Sequence, residues 1–98
     1  MPRASRVRDV VVTAQPDETL LASVAVLRHL GARITRYDAE AGTLEARVRR
    51  FLRPALIRLR AEPDGDATRL RVESDALAWA PMFRRFHGGL LDVMKEGT

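Results

Sequence analysis

The chain has 98 residues, no cysteine and a formal net charge of +4, and arginine carries nearly all of the positive charge because Lys95 is the only lysine. That length suits one domain, 1–98, with one modest core between two layers and no large ligand cavity as well. The lack of cysteine excludes disulfides, thiolate metal sites and cysteine nucleophiles, and the two distant histidines, His29 and His87, are too few ligands for a structural zinc site.

Residues 1–6 are basic and have no apolar stretch of the kind a secretory signal needs, so they read as a flexible N-terminus on a cytoplasmic protein. No run of about 18 apolar residues could span a membrane. From Val7 to Thr13 the β-branched Val10, Val11 and Val12 favour a strand. Val10 and Val12 share one face, Arg8 joins them at the end, and Val11 is opposite. Apolar residues on both faces suggest an internal or covered strand.

Pro16 then marks a helix start, with Asp17 and Glu18 placed to complement the helix dipole. Leu20, Val24, Leu27 and Leu30 form an apolar stripe with Leu21 at its edge, and Ala22 and His29 lie opposite. Gly31 is a C-terminal cap in the left-handed region. A second strand runs from Ala32 to Tyr37, with Ile34 inward and Arg33, Thr35 and Tyr37 outward. The first two strands are either non-adjacent or parallel neighbours. The turn Asp38–Gly42 leads onward, with a positive φ at Gly42.

Three period-two segments follow. Leu44, Ala46 and Val48 alternate with Glu45, Arg47 and Arg49. Ile57, Leu59 and Ala61 alternate with Arg58, Arg60 and Glu62. Leu70 and Val72 alternate with Arg69, Arg71 and Glu73. With Gly65 and Asp66 as a II′ turn, Pro63 faces Thr68, Ala61 faces Leu70 and Leu59 faces Val72. The same face matching sets Val48 against Ile57 and Ala46 against Leu59. It then aligns Glu45 with Arg60 and Arg71, Arg47 with Arg58 and Glu73, and Glu62 with Arg69. Acids are thus interleaved with arginines on the polar face, which lowers repulsion across strands.

Beyond Ser74, residues 75–80 form a connection or first helical turn, and Pro81 signals a second helix. Met82, Phe86, Leu90 and Val93 recur at helical spacing, flanked by Phe83 and Met94. Gly88 and Gly89 each cost about 1 kcal/mol relative to Ala, offset by close approach of this helix to the sheet or accepted as a kink.

The element order is β-α-β-β-β-β-α: an α+β, two-layer domain with a curved antiparallel sheet of about five strands and two helices on one face. This order resembles TATA-box-binding-protein-like and helix-grip arrangements. The turn from Asp38 to Gly42 leading into Leu44, Glu45 and Ala46 is similar to small bacterial domains of that kind. The resemblance covers most of the chain, rests on element order alone, and brings no functional residues with it.

No paired-carboxylate site, calcium loop, phosphate loop or nucleophile elbow is visible. Ser74 and Asp75 read as a strand end and a cap near the second helix. The expectation is a non-enzymatic binding domain with no cofactor and no metal. Its first reading is a protein-interaction or homo-oligomerising module. The candidate surface is an arginine-rich sheet face, Arg47, Arg49, Arg58, Arg60, Arg69 and Arg71, with a contact loop, Arg50, Phe51, Leu52 and Arg53. Phe51 and Leu52 either anchor a partner, insert into an anionic membrane surface, which is the lesser reading, or fold back over the core. The second reading is nucleic-acid binding by the same face, with Tyr37 its sole aromatic stacking candidate and the acids opposing it. The third is a small hydrophobic ligand carrier, which a pocket of a few hundred cubic ångströms beneath the helices would favour.

Overall fold

A computed structural model of the chain describes residues 6–49, 54–75 and 79–96. The loop residues Arg50, Phe51, Leu52 and Arg53 lie outside them, so the structure does not bear on the proposed contact loop. The described chain forms β1 (Arg6–Val12), α1 (Pro16–His29), β2 (Ala32–Asp38), β3 (Thr43–Val48), β4 (Ala55–Asp64), β5 (Ala67–Ser74) and α2 (Trp79–Glu96). This is the α+β order read from the sequence. The five strands form one antiparallel sheet in the order β1-β5-β4-β3-β2. β1 and β2 therefore sit at opposite edges, and α1 carries the chain from one edge to the other.

Edge placement corrects the expectation that β1 is internal or covered. Val10 and Val12 are buried, but Val7 and Val11 face water at 49% and 60% exposure. β-Branching at those two positions serves the extended backbone rather than the core.

The β4–β5 hairpin follows the expected register, with Leu59 opposite Val72, Ala61 opposite Leu70 and Pro63 opposite Thr68. Gly65 has φ +61° and, among the described residues, no non-glycine residue has a positive φ, which fits a II′ turn. The β3–β4 register differs from the expected one by two residues: Leu44 pairs with Leu59, Ala46 with Ile57 and Val48 with Ala55. An even shift keeps every side chain on its own face, so hydrophobic alternation could not detect it. The polar rows change with it. Glu45 stands beside Arg58, which faces Glu73, whereas Arg60 faces Arg71 and Thr43.

A register irregularity between Ile34 and Arg36 corrects the reading of β2. The extra residue, Thr35, flips the alternation after it. Arg36 then pairs with Glu45 on the polar face, and Tyr37 pairs with the buried Leu44 on the helix-covered side. At Gly42, φ is +71° and a Cβ would stand 2.7 Å from the Ala61 carbonyl oxygen. The Gly42 carbonyl accepts a 2.8 Å hydrogen bond from Ala61 N–H, so glycine lets the turn press directly onto β4.

Both helices cover the same sheet face. Leu20, Leu27, Leu44, Leu70 and Leu90 are essentially inaccessible to water, and burial of each contributes about 1.5–3 kcal/mol. α1 buries Ala22 along with Thr19, Leu20, Ser23, Val26 and Leu27, while Val24 is only half-buried. The expected stripe was displaced because α1 packs on the sheet and on α2 together, which widens its buried face. Small polar residues fit there because Thr19 Oγ1 donates to Gln15 O at 2.9 Å and Ser23 Oγ to Thr19 O at 2.8 Å. α2 begins two residues before Pro81, whose missing N–H costs nothing in a first turn. Its backbone approaches α1 rather than the sheet. A Cβ on Gly89 would stand 2.9 Å from Val26 Cγ1, whereas one on Gly88 would meet open space. The expected close approach exists, but its partner is the other helix.

Candidate functional site

The sheet presents two different surfaces. On the outer face the structure brings together Arg47, Arg58, Arg60, Arg69 and Arg71, all exposed. Four of the five are held by carboxylates. Arg58 Nε lies 3.3 Å from Glu45 Oε1, Arg60 Nε 3.2 Å from Glu62 Oε1, Arg69 Nη2 3.6 Å from Asp64 Oδ2, and Arg71 Nε 3.1 Å from Asp9 Oδ1. The hydrogen bond from Arg71 to Asp9, together with the charge of Asp9, holds the guanidinium above its ordinary pKa. The alternation of acid and arginine seen in the sequence thus becomes a mesh of surface pairs. Each pair contributes little in water, but together they offset part of the positive charge of this face. With Tyr37 on the other side, the described outer face also lacks the aromatic platform that single-strand readers use.

The inner face holds a cavity of about 400 Å³ between the two helices and the sheet. Its floor comes from the alternating inward residues Val48, Ile57 and Val72 on β3, β4 and β5. One wall is the end of α1, Leu27 and Leu30. The other is the start of α2, Pro81, Met82 and Phe86. Strand alternation puts one apolar side chain on the floor every second residue, and helical spacing lines up Met82 with Phe86 and Leu27 with Leu30 above it. Ile57, Val72 and Phe86 are each at most 2% exposed, so they are packed beneath the cavity and close its inner end. The rim carries two exposed cations, Arg49 at the end of β3 and Arg85 on α2.

Arg49 is therefore placed apart from the other candidate arginines. β3 ends at Val48, the alternation stops with it, and Arg49 turns to the cavity mouth instead of the outer face. Sequence reasoning did not select Arg85, Leu30 or Met82 as site residues. Leu30 follows the end of α1 and Met82 and Arg85 lie in the first half of α2, and nothing in those positions tells what stands opposite.

The β4–β5 end of the floor is pinned by polar contacts. Asp75 Oδ1 accepts from Leu56 N at 2.9 Å, and Ser74 Oγ donates to Leu56 O at 2.9 Å. These two residues thus bind the strands to each other, a role that adds to the strand end and cap expected of them. Thr68 Oγ1 donates to Ala14 O at 2.6 Å and ties β5 to the entry of α1. Among the described residues there is no cluster of metal-binding side chains, and no helix is long and apolar enough to cross a membrane.

No family model matches the chain. No curated protein matches it either. Solved structures do. Ara h 8.0201 superposes with a TM-score of 0.64 at 9% identity, covering 94% of this chain and 98% of that one. TTHA0849 from Thermus thermophilus superposes with a TM-score of 0.61 at 10% identity, covering 97% of this chain and 99% of that one. At such identity the likeness concerns the fold alone. Of the two arrangements suggested by element order, the neighbours support the helix-grip one and leave the TATA-box-binding-protein-like one without support: the chain has a helix-grip-like α+β fold.

Proposed function

We propose that this protein is a non-enzymatic carrier of a small hydrophobic ligand, held between the helices and the sheet. The observation behind this reading is the cavity of about 400 Å³ between the helices and the sheet, with apolar side chains on its floor. Its volume lies within the roughly 300–1,000 Å³ range of small-molecule sites. Val48, Ile57, Val72, Met82 and Phe86 offer dispersion contacts and no group able to act as nucleophile or general base. The nucleic-acid reading rests on the outer face, where Arg58, Arg60, Arg69 and Arg71 already have carboxylate partners; the protein-interaction reading rests on that face and on the loop Arg50, Phe51, Leu52 and Arg53, which lies outside the described residues. The cavity has no such internal occupant among the described residues.

The test is calorimetric titration with dodecanol, beside a Leu30→Trp variant that fills the cavity from the half-buried end of α1. Saturable binding at one ligand per chain, with the negative heat-capacity change of apolar burial, is the expected result. Leu30→Trp should keep its circular dichroism spectrum and lose binding. A folded wild type that takes up no dodecanol, or a filled variant that binds as well as wild type, would refute the carrier reading.

A further inference from the structure

We infer that the cavity selects a free amphipathic monoanion, an apolar chain ending in a carboxylate, with Arg49 and Arg85 at the mouth receiving the head group. This inference rests on the carrier reading and specifies its ligand class. The cavity has opposite characters at its two ends. Packed Ile57, Val72 and Phe86 close its inner end with apolar side chains. The rim bears two guanidinium groups, and among the described residues no acidic side chain lines any part of it.

Those two arginines are set apart from the outer-face ones by place rather than by pairing alone, because among the described residues Arg33, Arg36 and Arg47 have no ion pair either. Arg58, Arg60, Arg69 and Arg71 each lie within 3.6 Å of a carboxylate. Among the described residues neither Arg49 nor Arg85 has an ion pair, although both stand over a deep apolar cleft on the helix-covered side. Arg49 enters from the sheet and Arg85 from α2, so the two approach the mouth from opposite walls. A planar guanidinium presents paired donors that match a carboxylate. A ligand with its chain on the floor would leave its head at the rim, where these donors are and where water still solvates the charge. Both features, an apolar interior and a cationic entrance, are met by one amphiphile and by neither a neutral hydrocarbon nor a small inorganic anion.

The experiment compares dodecanoate with dodecanol, below the micellar concentration of the acid, by titration calorimetry on wild type, Arg49→Gln, Arg85→Gln and the outer-face control Arg58→Gln. Wild type should bind dodecanoate more tightly than dodecanol. Each rim substitution should weaken dodecanoate by about five-fold, the scale of one exposed charge contact, and change dodecanol by less than about two-fold. Added salt should weaken dodecanoate selectively, and Arg58→Gln should behave as wild type. Dodecanol binding with no preference for dodecanoate, or with no loss in either rim variant, would overturn the head-group inference and leave the carrier reading standing. Failure of both ligands would overturn both. In a second arm the protein is mixed with phosphatidylglycerol vesicles. Vesicle binding that depends on Arg49 and Arg85, without binding of monomeric dodecanoate, would also overturn the inference and assign these cations to a bilayer surface.

Discussion

Gly88 and Gly89 are neighbours in α2 with the same intrinsic cost, yet the structure predicts opposite responses to alanine. A Cβ on Gly88 meets no heavy atom within 4 Å. Gly88→Ala should therefore realise the full helix-propensity gain of about 1 kcal/mol. A Cβ on Gly89 would lie 2.9 Å from Val26 Cγ1 and 3.7 Å from Val26 Cγ2. Val26 is 4% exposed and cannot swing away, because a β-branched residue in a helix has essentially one χ1 rotamer. Overpacking of that kind costs about 1–3 kcal/mol. Against the same propensity gain, Gly89→Ala should end between neutral and about 2 kcal/mol destabilised. In a domain this size about 1 kcal/mol moves the melting temperature by roughly 4–8 °C, so calorimetry separates the variants easily. Val26→Ala removes the obstructing methyls, and the Gly89→Ala/Val26→Ala cycle should show a favourable coupling of about 1 kcal/mol or more. Equal upward shifts for Gly88→Ala and Gly89→Ala, or a cycle without coupling, would refute the helix–helix contact as the reason for the second glycine.

The same reasoning separates Gly42 from Gly65. Both have positive φ, so alanine should cost either site about 1–2 kcal/mol. Only Gly42 adds a 2.7 Å approach to backbone, so Gly42→Ala should be clearly the more destabilising in urea denaturation; equal midpoints would contradict that account of the turn. On the outer face, a Glu45→Ala/Arg58→Ala cycle should give a coupling below about 1 kcal/mol, since the Arg58 side chain is 58% exposed, and a larger coupling would mean that the mesh is structural. A single-stranded oligonucleotide should show no tight complex at physiological salt. A steeply salt-dependent affinity that vanishes in Arg58→Glu/Arg60→Glu would move the functional site to this face.

How much was legible followed from which signals have period two. The β4–β5 register could be read because a two-residue turn at Gly65 and Asp66 leaves one way to close the hairpin. Between β3 and β4 the connection is longer, and a slip of two residues changes neither face nor composition, so Val48 was matched to the wrong partner. Tyr37 was assigned to the wrong side because one inserted residue, Thr35, inverts everything after it and carries no composition of its own. Ala22 was misplaced for another reason. A helix stripe read from apolar residues cannot anticipate that Thr19 and Ser23 become buried by bonding to their own backbone. The third reading named a pocket beneath the helices, but the sequence could not show that it exists or what lines it. Alternation shows which residues face inward, but the space between them depends on how far α2 stands from the sheet.

That distance follows from packing. α2 rests its backbone on α1 at Gly89, and its large side chains Phe86 and Leu90 are buried in the layer beneath. Leu90 is fully buried, so the layer is filled at that level. One to two turns nearer the start of α2 the wall is Pro81, Met82 and Phe86, and the cavity opens there. The small residue that brings the helices together and the large ones buried beneath them thus flank a cleft at a fixed end of the sandwich. Among the described residues, the chain places two arginines at that end without an ion pair, whereas on the outer sheet face Arg58, Arg60, Arg69 and Arg71 each have a carboxylate partner. Positive charge at the mouth of an apolar cleft becomes useful when an anion arrives from outside, and place, rather than number, sets Arg49 and Arg85 apart from the arginines of the sheet face.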